Sequence, residues 1–505
     1  MFVSDHWHSE LSLQHLGHRL RSVPMLVVLV PFVAGISLEE CVACPMVVLL
    51  VVAVLMAVLA WRTIGRAISY LYVAVALLLV GMAVARLGER GSTIPYDRTI
   101  EMEIVVESMP APRGDYLLAD GRVVGWCDDE WRAADERVQL WIRAKGVAWG
   151  SRLTVVGSLR ERMSRYEGYN TQLRRRGYVG GVSITDISLL DIVPEAQRGL
   201  QRRAVESLGR YVGEPRADAV VVAMVAGSRA GLPDDLREAY SRSGLAHLMA
   251  VSGLHLGIVV MAIGTLLLPL ILLPSGHLLR DVLVIVGLWL FALASGASPS
   301  VLRAAVMVTV LYTSYALSSH YNSLNALFAT VFVMLLYRAN YLYDISFQLS
   351  VLAVMGIILW GVPICSRLLH RGVVERWVLS TIVVGVVATL WTLPLISSTF
   401  GRVPLVGVVL TPVAMVSSYV IIGCGLPAMV MPALLHIPFK AVAEWAAEWQ
   451  NMVVEGARAI PYGSVEYTIS EGGVAIYYGV LLIITLTAWS IKRKKRVTLR
   501  DDDAL

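Results

Sequence analysis

The sequence has little charge and few cysteines. Only 16% of its 505 residues are charged and 56% are hydrophobic, whereas soluble proteins average about 25% charged and about 45–50% apolar residues. This composition argues against an ordinary soluble enzyme. The five cysteines are too few and too scattered for a disulfide framework. Only Cys41 and Cys44 are candidates to form a pair.

Several motifs of catalysis and metal binding are also missing from this sequence. It contains no GxxxxGK[ST] loop and no HExxH pair, so it predicts neither a motor ATPase nor a zincin-type protease. The N-terminal histidines, at positions 6, 8, 15 and 18, match no ligand spacing, and we predict no metal site and no cofactor. Lys and Arg exceed Asp and Glu only by 43 to 38. The basic tail at 492–496 could supply that excess, so the net charge does not indicate a nucleic-acid partner.

Long apolar runs fill both ends of the chain. Runs at 23–38, 42–60 and 68–85 approach the roughly 20 residues that a bilayer core of about 30 Å requires, and roughly seven to nine more follow from residue 245. Arginines precede the first run and Glu39 follows it, so the positive-inside rule places the N-terminus in the cytoplasm. The basic tail places the C-terminus there as well. We expect the first run to be a retained span, because no cleavable signal peptide is evident.

A polar insert separates the two apolar blocks. Within it, Ile100, Met102 and Ile104 alternate with polar residues, as do Val138 and Leu140, which is typical of strands. Three preceding spans place this insert outside the cytoplasm. The predicted fold is therefore a polytopic α-helical membrane protein with a small extracytoplasmic β insert. The predicted segments are 1–92 for the first spans, 93–194 for the insert, 195–243 for amphipathic connecting helices, 244–491 for the second membrane block and 492–505 for the tail.

The segment 244–257 carries polar side chains in an apolar context. We predict one continuous helix here, on which Ser252 and His255 lie roughly 60° apart on one face, with His247 two turns away. Polar groups at membrane depth cost about 2–3 kcal/mol or more and are functional by default, so these residues are candidates to line a channel. Gly253 and Gly257 form a GxxxG surface for helix packing. The alternative is a packing helix whose polar side chains bond neighbouring backbone.

Four further polar residues extend this set of channel-lining candidates. Arg303 follows a Ser-Pro-Ser sequence that opens a helix, and Asn325 lies in the next apolar run. Asp344 and Gln348 have the i, i+4 spacing that places two residues on one helical face. An Arg303–Asp344 ion pair is the alternative, purely structural interpretation.

A later segment, around 442–453, predicts a helix lying in the membrane interface. Val442, Trp445 and Met452 form an apolar face, and Glu444 and Glu448 lie opposite to it.

Four ordered stretches of the second block resemble the ComEC family of competence proteins. The first is the run from Gly244 to residue 259, with its Ala-Val-Ser252-Gly-Leu-His255 core. The others are 298–307 with Arg303-Ala304, 322–327 followed by Asp344-Ile-Ser-Phe-Gln348, and 394–400. The resemblance implies an inner-membrane channel of bacteria that imports single-stranded DNA during natural transformation. It implies no catalytic residue.

The resemblance also gives the insert a function. In position it matches the family's extracytoplasmic OB-like domain, and OB-type surfaces hold single strands with basic grooves and stacking aromatic rings. The DNA-binding candidates are Arg174, Arg175, Arg176, Trp141 and Trp149. Implied partners are single-stranded DNA, membrane lipid, a DNA receptor protein, a cytoplasmic ATPase or strand-binding proteins, and a second copy of the chain.

The sequence departs from the family pattern at several points. Many members carry a metallo-β-lactamase-like domain with a His-x-His-x-Asp-His motif, which this sequence lacks, so we do not expect nuclease activity from it. Ser228 stands where aspartate is usual, and Gly407 where asparagine is common. Two other functions remain open. A secondary transporter for a smaller solute would show paired broken helices in an internal repeat, and an intramembrane hydrolase would use Ser252 with a histidine.

Overall fold

The computed structural model describes residues 23–39, 42, 44–88, 92–108, 110–113, 115–128, 130–143, 147, 151–163, 170, 173–174, 177–184, 188–192, 199–209, 213–229, 231–249, 251–316, 322–404, 406–431, 433–457 and 464–502. Three helices come first: α1 (Pro24–Leu38), α2 (Met46–Arg62) and α3 (Ile68–Gly88). They lie close to the three predicted runs. Proline at the first position of α1 suits its start, because the amide hydrogen it lacks has no partner in a first turn.

Helices α1 and α3 approach each other through glycine. A Cβ atom on Gly35 would lie 2.0 Å from the carbonyl oxygen of Leu78, and one on Gly81 would lie 2.2 Å from that of Phe32. No side chain fits at either point, so the two backbones are in direct contact. Small residues drive helix association in membranes in this way, since apolar side chains gain nothing by leaving lipid.

Replacing Gly81 with alanine should therefore separate α1 from α3 and destabilise the protein by about 1–3 kcal/mol, the usual cost of overpacking. Thermal unfolding of the detergent-purified protein measures this. The matched control is Gly423→Ala, because no described atom lies within 4 Å of a Cβ on that residue. Equal melting temperatures for the two variants would contradict the close approach.

The insert folds as a β-barrel. Its strands are β1 (Thr99–Val106), β2 (Ala111–Arg113), β3 (Tyr116–Cys127), β4 (Trp131–Ile142), β5 (Ser151–Arg160), β6 (Tyr178–Ile184) and β7 (Ser188–Ile192). Pairing runs β1–β3–β4–β6–β5 and returns from β5 to β1, which closes a ring. The β4–β6 pair is parallel and the others in the ring are antiparallel.

The predicted alternation of the insert is confirmed by its burial. Ile100, Met102 and Ile104 are buried, as are Val138 and Leu140, and all of them pack into one hydrophobic core. Since successive strand residues point to opposite faces, Glu101 and Glu103 of β1 face outward. Gln139, between Val138 and Leu140, is buried as well. The sequence pattern thus identifies the inner surface of the barrel.

The remainder of the chain is mainly helical. The helices are α4 (Leu200–Leu208), α5 (Pro215–Ala226), α6 (Asp234–Arg242), α7 (Gly253–Leu266), α8 (Gly276–Ala294), α9 (Pro299–Ala316), α10 (Ser323–Tyr337), α11 (Ile345–Gly356), α12 (Val362–Cys365), α13 (Val373–Phe400), α14 (Gly407–Val430), α15 (Ala433–Ala457) and α16 (Glu471–Asp502). Two short strands, β8 (Arg402–Pro404) and β9 (Ser464–Glu466), pair with each other. A π-helical turn (Ile357–Gly361) separates α11 from α12.

Five helical stretches of the described chain are long and apolar enough to cross a membrane. They are Ile68–Leu87, Gly276–Ala294, Ile345–Leu368, Val373–Thr399 and Gly407–Val430. Six shorter apolar helices accompany them, including α1, α2 and α7. The long helix α15 is in neither group. The chain is therefore a polytopic helical membrane protein with a β insert, as the composition predicts.

The chain divides into two compact units. The first unit comprises Met1–Leu232, Ala250–Gln348 and Val420–Trp445, and so includes the barrel. The second comprises Pro233–Met249, Leu349–Tyr419 and Ala446–Leu505. In the second unit, the Trp391 ring occupies the space beside Gly356 that a Cβ would fill, and Trp360, in the π turn, donates from Nε1 to Thr485 Oγ1 at 3.1 Å.

Candidate functional site

Ser252 and His255 form a capping box at the start of α7. The Ser252 amide donates to His255 Nδ1 at 3.3 Å, and Ser252 Oγ lies 3.1 Å from the same nitrogen. The His255 ring is completely buried, with 0% of its surface exposed. In a capping box, the side chains at the N-cap and N3 positions satisfy amides that the first helical turn leaves open. This pair therefore fixes where α7 begins.

The prediction of one helix through 244–257 is wrong. The backbone forms a short 3₁₀ turn at Ala246–Leu248, is extended at Ser252 and becomes α-helical only at Gly253. Serine is a strong N-cap residue, and its side chain competes with a continuing helix for backbone groups. The Ser-x-x-His spacing was the available signal, because it imitates the usual Ser-x-x-Glu box. Ser252 therefore precedes the helix and does not share a helical face with His255.

The glycines of the GxxxG surface are exposed. A Cβ on Gly253 would make an ordinary 3.8 Å contact with Ala304 Cβ, and no described atom lies within 4 Å of one on Gly257. Only Gly253 therefore lies beside another described helix, α9. The packing role of Gly257 stays a prediction.

Arg303 lies in the first turns of α9, beside the start of α7. Ser300 Oγ donates to the Val251 carbonyl at 2.9 Å, which connects the two helix starts. Arg303 is only 4% exposed, and its Nη2 donates to the Ser300 carbonyl at 3.3 Å. Its buried Nη1 has no hydrogen-bond partner among the described residues. The starts of α7 and α9 thus bring together Ser252, His255, Ser300 and Arg303.

The alternative Arg303–Asp344 ion pair is not formed. Arg303 pairs with no carboxylate in the described chain, and Asp344 instead caps α11 by accepting from the Phe347 amide at 3.0 Å. Asp344 has extended backbone dihedrals and precedes the helix, so the shared helical face predicted for it and Gln348 is also wrong. Aspartate favours the N-cap position for the same reason as serine. Gln348 donates to the Leu342 carbonyl at 2.7 Å.

Two other channel-lining candidates hold backbone groups. Asn325 accepts from the Met25 amide at the start of α1, at 3.0 Å. His247 lies in the second unit, where its Nδ1 is 2.9 Å from the Gly244 carbonyl oxygen. In the same unit, a Cβ on Gly407 would lie 2.9 Å from the carbonyl oxygen of Ser243, four residues before His247. The glycine that departs from the family's asparagine thus permits a close backbone contact.

The first unit contains a buried ion cluster that sequence reasoning missed. Lys440 of α15 is 0% exposed, forms an ion pair and hydrogen bond with Asp218 of α5, and lies 3.4 Å from Glu444. Glu444 is buried and also accepts from the Gly213 amide. The pattern of an interface helix, with Glu444 opposite the apolar face, does not predict this burial. The missed signal was a lysine and a glutamate at i, i+4 spacing among alanines, opposite a large apolar face.

The α15 helix is polar on its buried side and apolar on its exposed side. Val442, Trp445 and Met452 are exposed, whereas Lys440 and Glu444 are buried. Within the second unit, the same helix buries Gln450, which accepts from Ser417 Oγ at 2.8 Å, and Asn451, which accepts from the Tyr240 hydroxyl at 2.9 Å. An inverted pattern of this kind is expected where apolar side chains face lipid and polar groups bond inside the protein.

The buried cluster should make stability depend on pH. Burial, the largest cause, raises the pKa of Glu444, and Lys440 and the Gly213 amide oppose the shift. Because the folded protein then binds this proton more tightly than the unfolded chain, stability should fall as pH rises from the ordinary glutamate pKa to the raised one. Melting temperatures across that window measure the slope. Glu444→Gln should remove it, and Glu448→Gln, an exposed carboxylate on the same helix, should leave it unchanged.

The DNA-binding candidates on the insert are only partly described. Arg174 lies 3.1 Å from Glu161 in an exposed ion pair. Trp141 packs with Met163, Leu173 and Tyr178, and its ring fills the space above Gly181. Arg175, Arg176 and Trp149 lie outside the described residues. Their role in binding stays a prediction.

These observations define the class of protein: a helical membrane protein of several spans, with buried polar groups and a β-barrel insert. A family model described as Competence protein matches residues 224–492. This is more than half of the chain, so the chain belongs to the competence protein family. The resemblance to ComEC proteins is thereby confirmed.

The chain is also similar to two curated proteins. The chain is 25% identical over 365 residues to ComE operon protein 3 of Bacillus subtilis (strain 168), covering 70% of this chain and 45% of the relative. It is 29% identical over 253 residues to an uncharacterized protein of Aquifex aeolicus (strain VF5), covering 50% and 56%. The chain thus spans about half the length of the curated relatives it matches. No solved structure matches it.

Proposed function

We propose that this protein forms a conduit in the bacterial cytoplasmic membrane through which single-stranded DNA enters the cell during natural transformation. The family match over 224–492 carries the proposal, because it covers the segment that holds Ser252, His255 and Arg303. A polyanion needs a hydrated path with repeated, weak polar contacts. The starts of α7 and α9 supply such groups within one unit.

The path, in this proposal, passes Ser252 and Arg303, and His255 holds the start of α7 in place. Asn325, Asp344 and Gln348 remain candidates for its lining, although each is hydrogen-bonded to backbone. The lining role of His247, which lies in the second unit, stays a separate prediction. The sequence carries no nucleotide-binding loop, so a cytoplasmic ATPase or strand-binding proteins would supply the energy.

The barrel is proposed to receive the strand outside the cell. Its ring of β1, β3, β4, β6 and β5, with one parallel pair, has the connectivity of a five-stranded Greek-key barrel. Such OB-type barrels bind oligonucleotides on strand surfaces and loops. Basic and aromatic residues near β6 would contact phosphates and bases, and a DNA receptor protein would deliver the DNA.

Labelled DNA tests the proposal in a strain that lacks the gene. We expect DNA to bind the cell surface but not to reach the cytoplasm, and the intact gene to restore entry. Normal entry without the gene would refute the conduit. Loss of uptake of a small solute, with DNA entry unchanged, would instead favour the secondary transporter.

A hydrolase is the second candidate, because Ser252 Oγ lies 3.1 Å from His255 Nδ1. A serine nucleophile next to a histidine base is the usual arrangement for covalent catalysis. Ser252→Ala would then abolish function, and Ser252→Cys would keep some activity that thiol reagents block. The capping geometry favours a structural role, and under that role Ser252→Asn, which preserves an N-cap without adding a charge, should retain DNA entry.

The proposed direction of transport requires the barrel to lie outside the cytoplasm. A single cysteine at Val156, which is 71% exposed on β5, should react with a membrane-impermeant thiol reagent in intact cells when all five native cysteines are replaced by serine. The label is measured on the purified protein. Reaction only after the membrane is opened would place the barrel inside and contradict the conduit model.

A further inference from the structure

We propose that Arg303 and the starts of α7 and α9 form a binding site for a phosphate group, occupied during transport by a phosphodiester of the DNA strand. This inference rests on the proposed function and goes beyond it, because it assigns one subsite and the chemistry that fills it. Three features of the first unit support it: a buried cation without a carboxylate partner, two helix N-termini, and an exposed surface at Gly253.

The first feature is the buried charge of Arg303. Its side chain is 4% exposed, one guanidinium nitrogen donates to Ser300, and the buried Nη1 has no hydrogen-bond partner among the described residues. A buried charge is costly unless a counter-charge or hydrogen bonds compensate it. None of the described residues provides a carboxylate that pairs with Arg303. A bound anion would supply both, and the planar guanidinium fits two phosphate oxygens at once.

The second feature is the meeting of two helix N-termini. The capping box uses the amides of Ser252 and His255, but the other first-turn amides of a helix lack intrahelical partners and carry partial positive charge, which favours phosphate. Ser298 and Ser300 hydroxyls are 3.1 Å apart, and Ser300 donates onward to the Val251 carbonyl. These two hydrogen bonds hold the first turn of α9 against Val251, the residue before the α7 cap. Arg303 therefore extends from a helix start whose position is fixed.

The third feature is access. Gly253, the first residue of α7, is exposed and has no side chain to cover the helix start, and Ser252 is half-buried. A phosphate could thus approach from this side. A site of one cation and few donors would hold each phosphodiester only weakly, which suits a strand that must move on.

The test uses the full-length protein in nanodiscs of zwitterionic lipid. The probes are a short oligothymidylate and an abasic oligonucleotide of equal length, and fluorescence anisotropy measures their affinities at several salt concentrations. The variants are Arg303→Gln and Arg303→Lys. Arg280→Gln is the matched control, because that arginine lies near Gly264 towards the other end of α7.

We expect Arg303→Gln to weaken both probes about 10- to 100-fold, the range for a lost charge-assisted contact. The slope of log affinity against log salt should fall by about 0.7, the value for one phosphate of a single strand. Arg280→Gln should change neither quantity. Arg303→Lys should keep the slope, since the charge remains, but bind less tightly because the two-point contact is lost.

Three results would overturn the inference. The first is wild-type affinity in Arg303→Gln, and the second is weaker binding with an unchanged salt slope. The third is a change in melting temperature on substitution that appears without DNA and only when the nanodiscs contain anionic lipid. The last result would identify a lipid phosphate as the occupant. Should Arg303→Gln fail to fold, Arg303→Lys decides by its slope and affinity. If deleting the gene blocks DNA entry while Arg303→Gln binds as wild type does, only this inference fails; if entry persists without the gene, the conduit itself fails.

Discussion

Replacing Lys440 with methionine should destabilise the protein by about 3–5 kcal/mol, the usual cost of removing one partner of a buried ion pair. Lys440 is fully buried beside two carboxylates, those of Asp218 and Glu444. Without the ammonium group, two acidic side chains would face each other with no cation between them. Thermal or denaturant unfolding in detergent, supported by folded yield, measures the loss.

The control for this prediction is on the same helix. Glu448→Gln removes an exposed carboxylate of α15 and should change stability by less than about 0.5 kcal/mol. Adding Asp218→Asn and Glu444→Gln to Lys440→Met should recover much of the loss, since neutral side chains no longer require the cation. A Lys440→Met variant as stable as Glu448→Gln would show that the cluster contributes little.

Replacing His255 with alanine should abolish most DNA entry by preventing the start of α7 from forming correctly. The lost capping partner costs about 1 kcal/mol, and the space left by a fully buried ring costs about 2 kcal/mol more. His255→Gln should behave very differently, because glutamine at N3 is a normal capping-box residue. Measuring entry per folded molecule in both variants separates a capping role from a chemical one.

The two variants distinguish three interpretations. Near-normal entry in His255→Gln with a collapse in His255→Ala supports the cap. Loss of entry in both variants, with protein inserted and abundant, would make the imidazole itself part of the path. If His255→Gln fails and Ser252→Cys becomes sensitive to thiol reagents, the pair is a catalytic one.

Much of the fold could be predicted because its periodicity is strong. The alternation around Met102 and Val138 identifies the barrel core, and the apolar runs predict α1, α2 and α3 within a few residues. Hydrophobic burial determines these features, and it is visible in sequence spacing. The ComEC motifs, which span 244–400, likewise predict the family to which the chain belongs.

The site could be predicted only in part, because local polar bonds override periodicity. Ser252 and Asp344 were placed on helical faces, yet both end a non-helical segment as caps. The burial of Lys440 and Glu444 is not predicted, because charged side chains are expected at the surface unless a partner is known. The partner of Lys440, Asp218, lies 222 residues away in sequence. Long-range ion pairs of this kind leave no mark on sequence periodicity.

The π turn at Ile357–Gly361 has a consequence for the evolution of chain length. A π turn accommodates one residue more than an α turn, so deleting one residue there would restore regular helix and move the side chains within the turn to other positions, while the helix beyond it keeps its face. Trp360 would then no longer donate to Thr485. Single-residue deletions should therefore be tolerated less well in this segment than in exposed loops. Its length should vary less among relatives than the lengths of neighbouring loops.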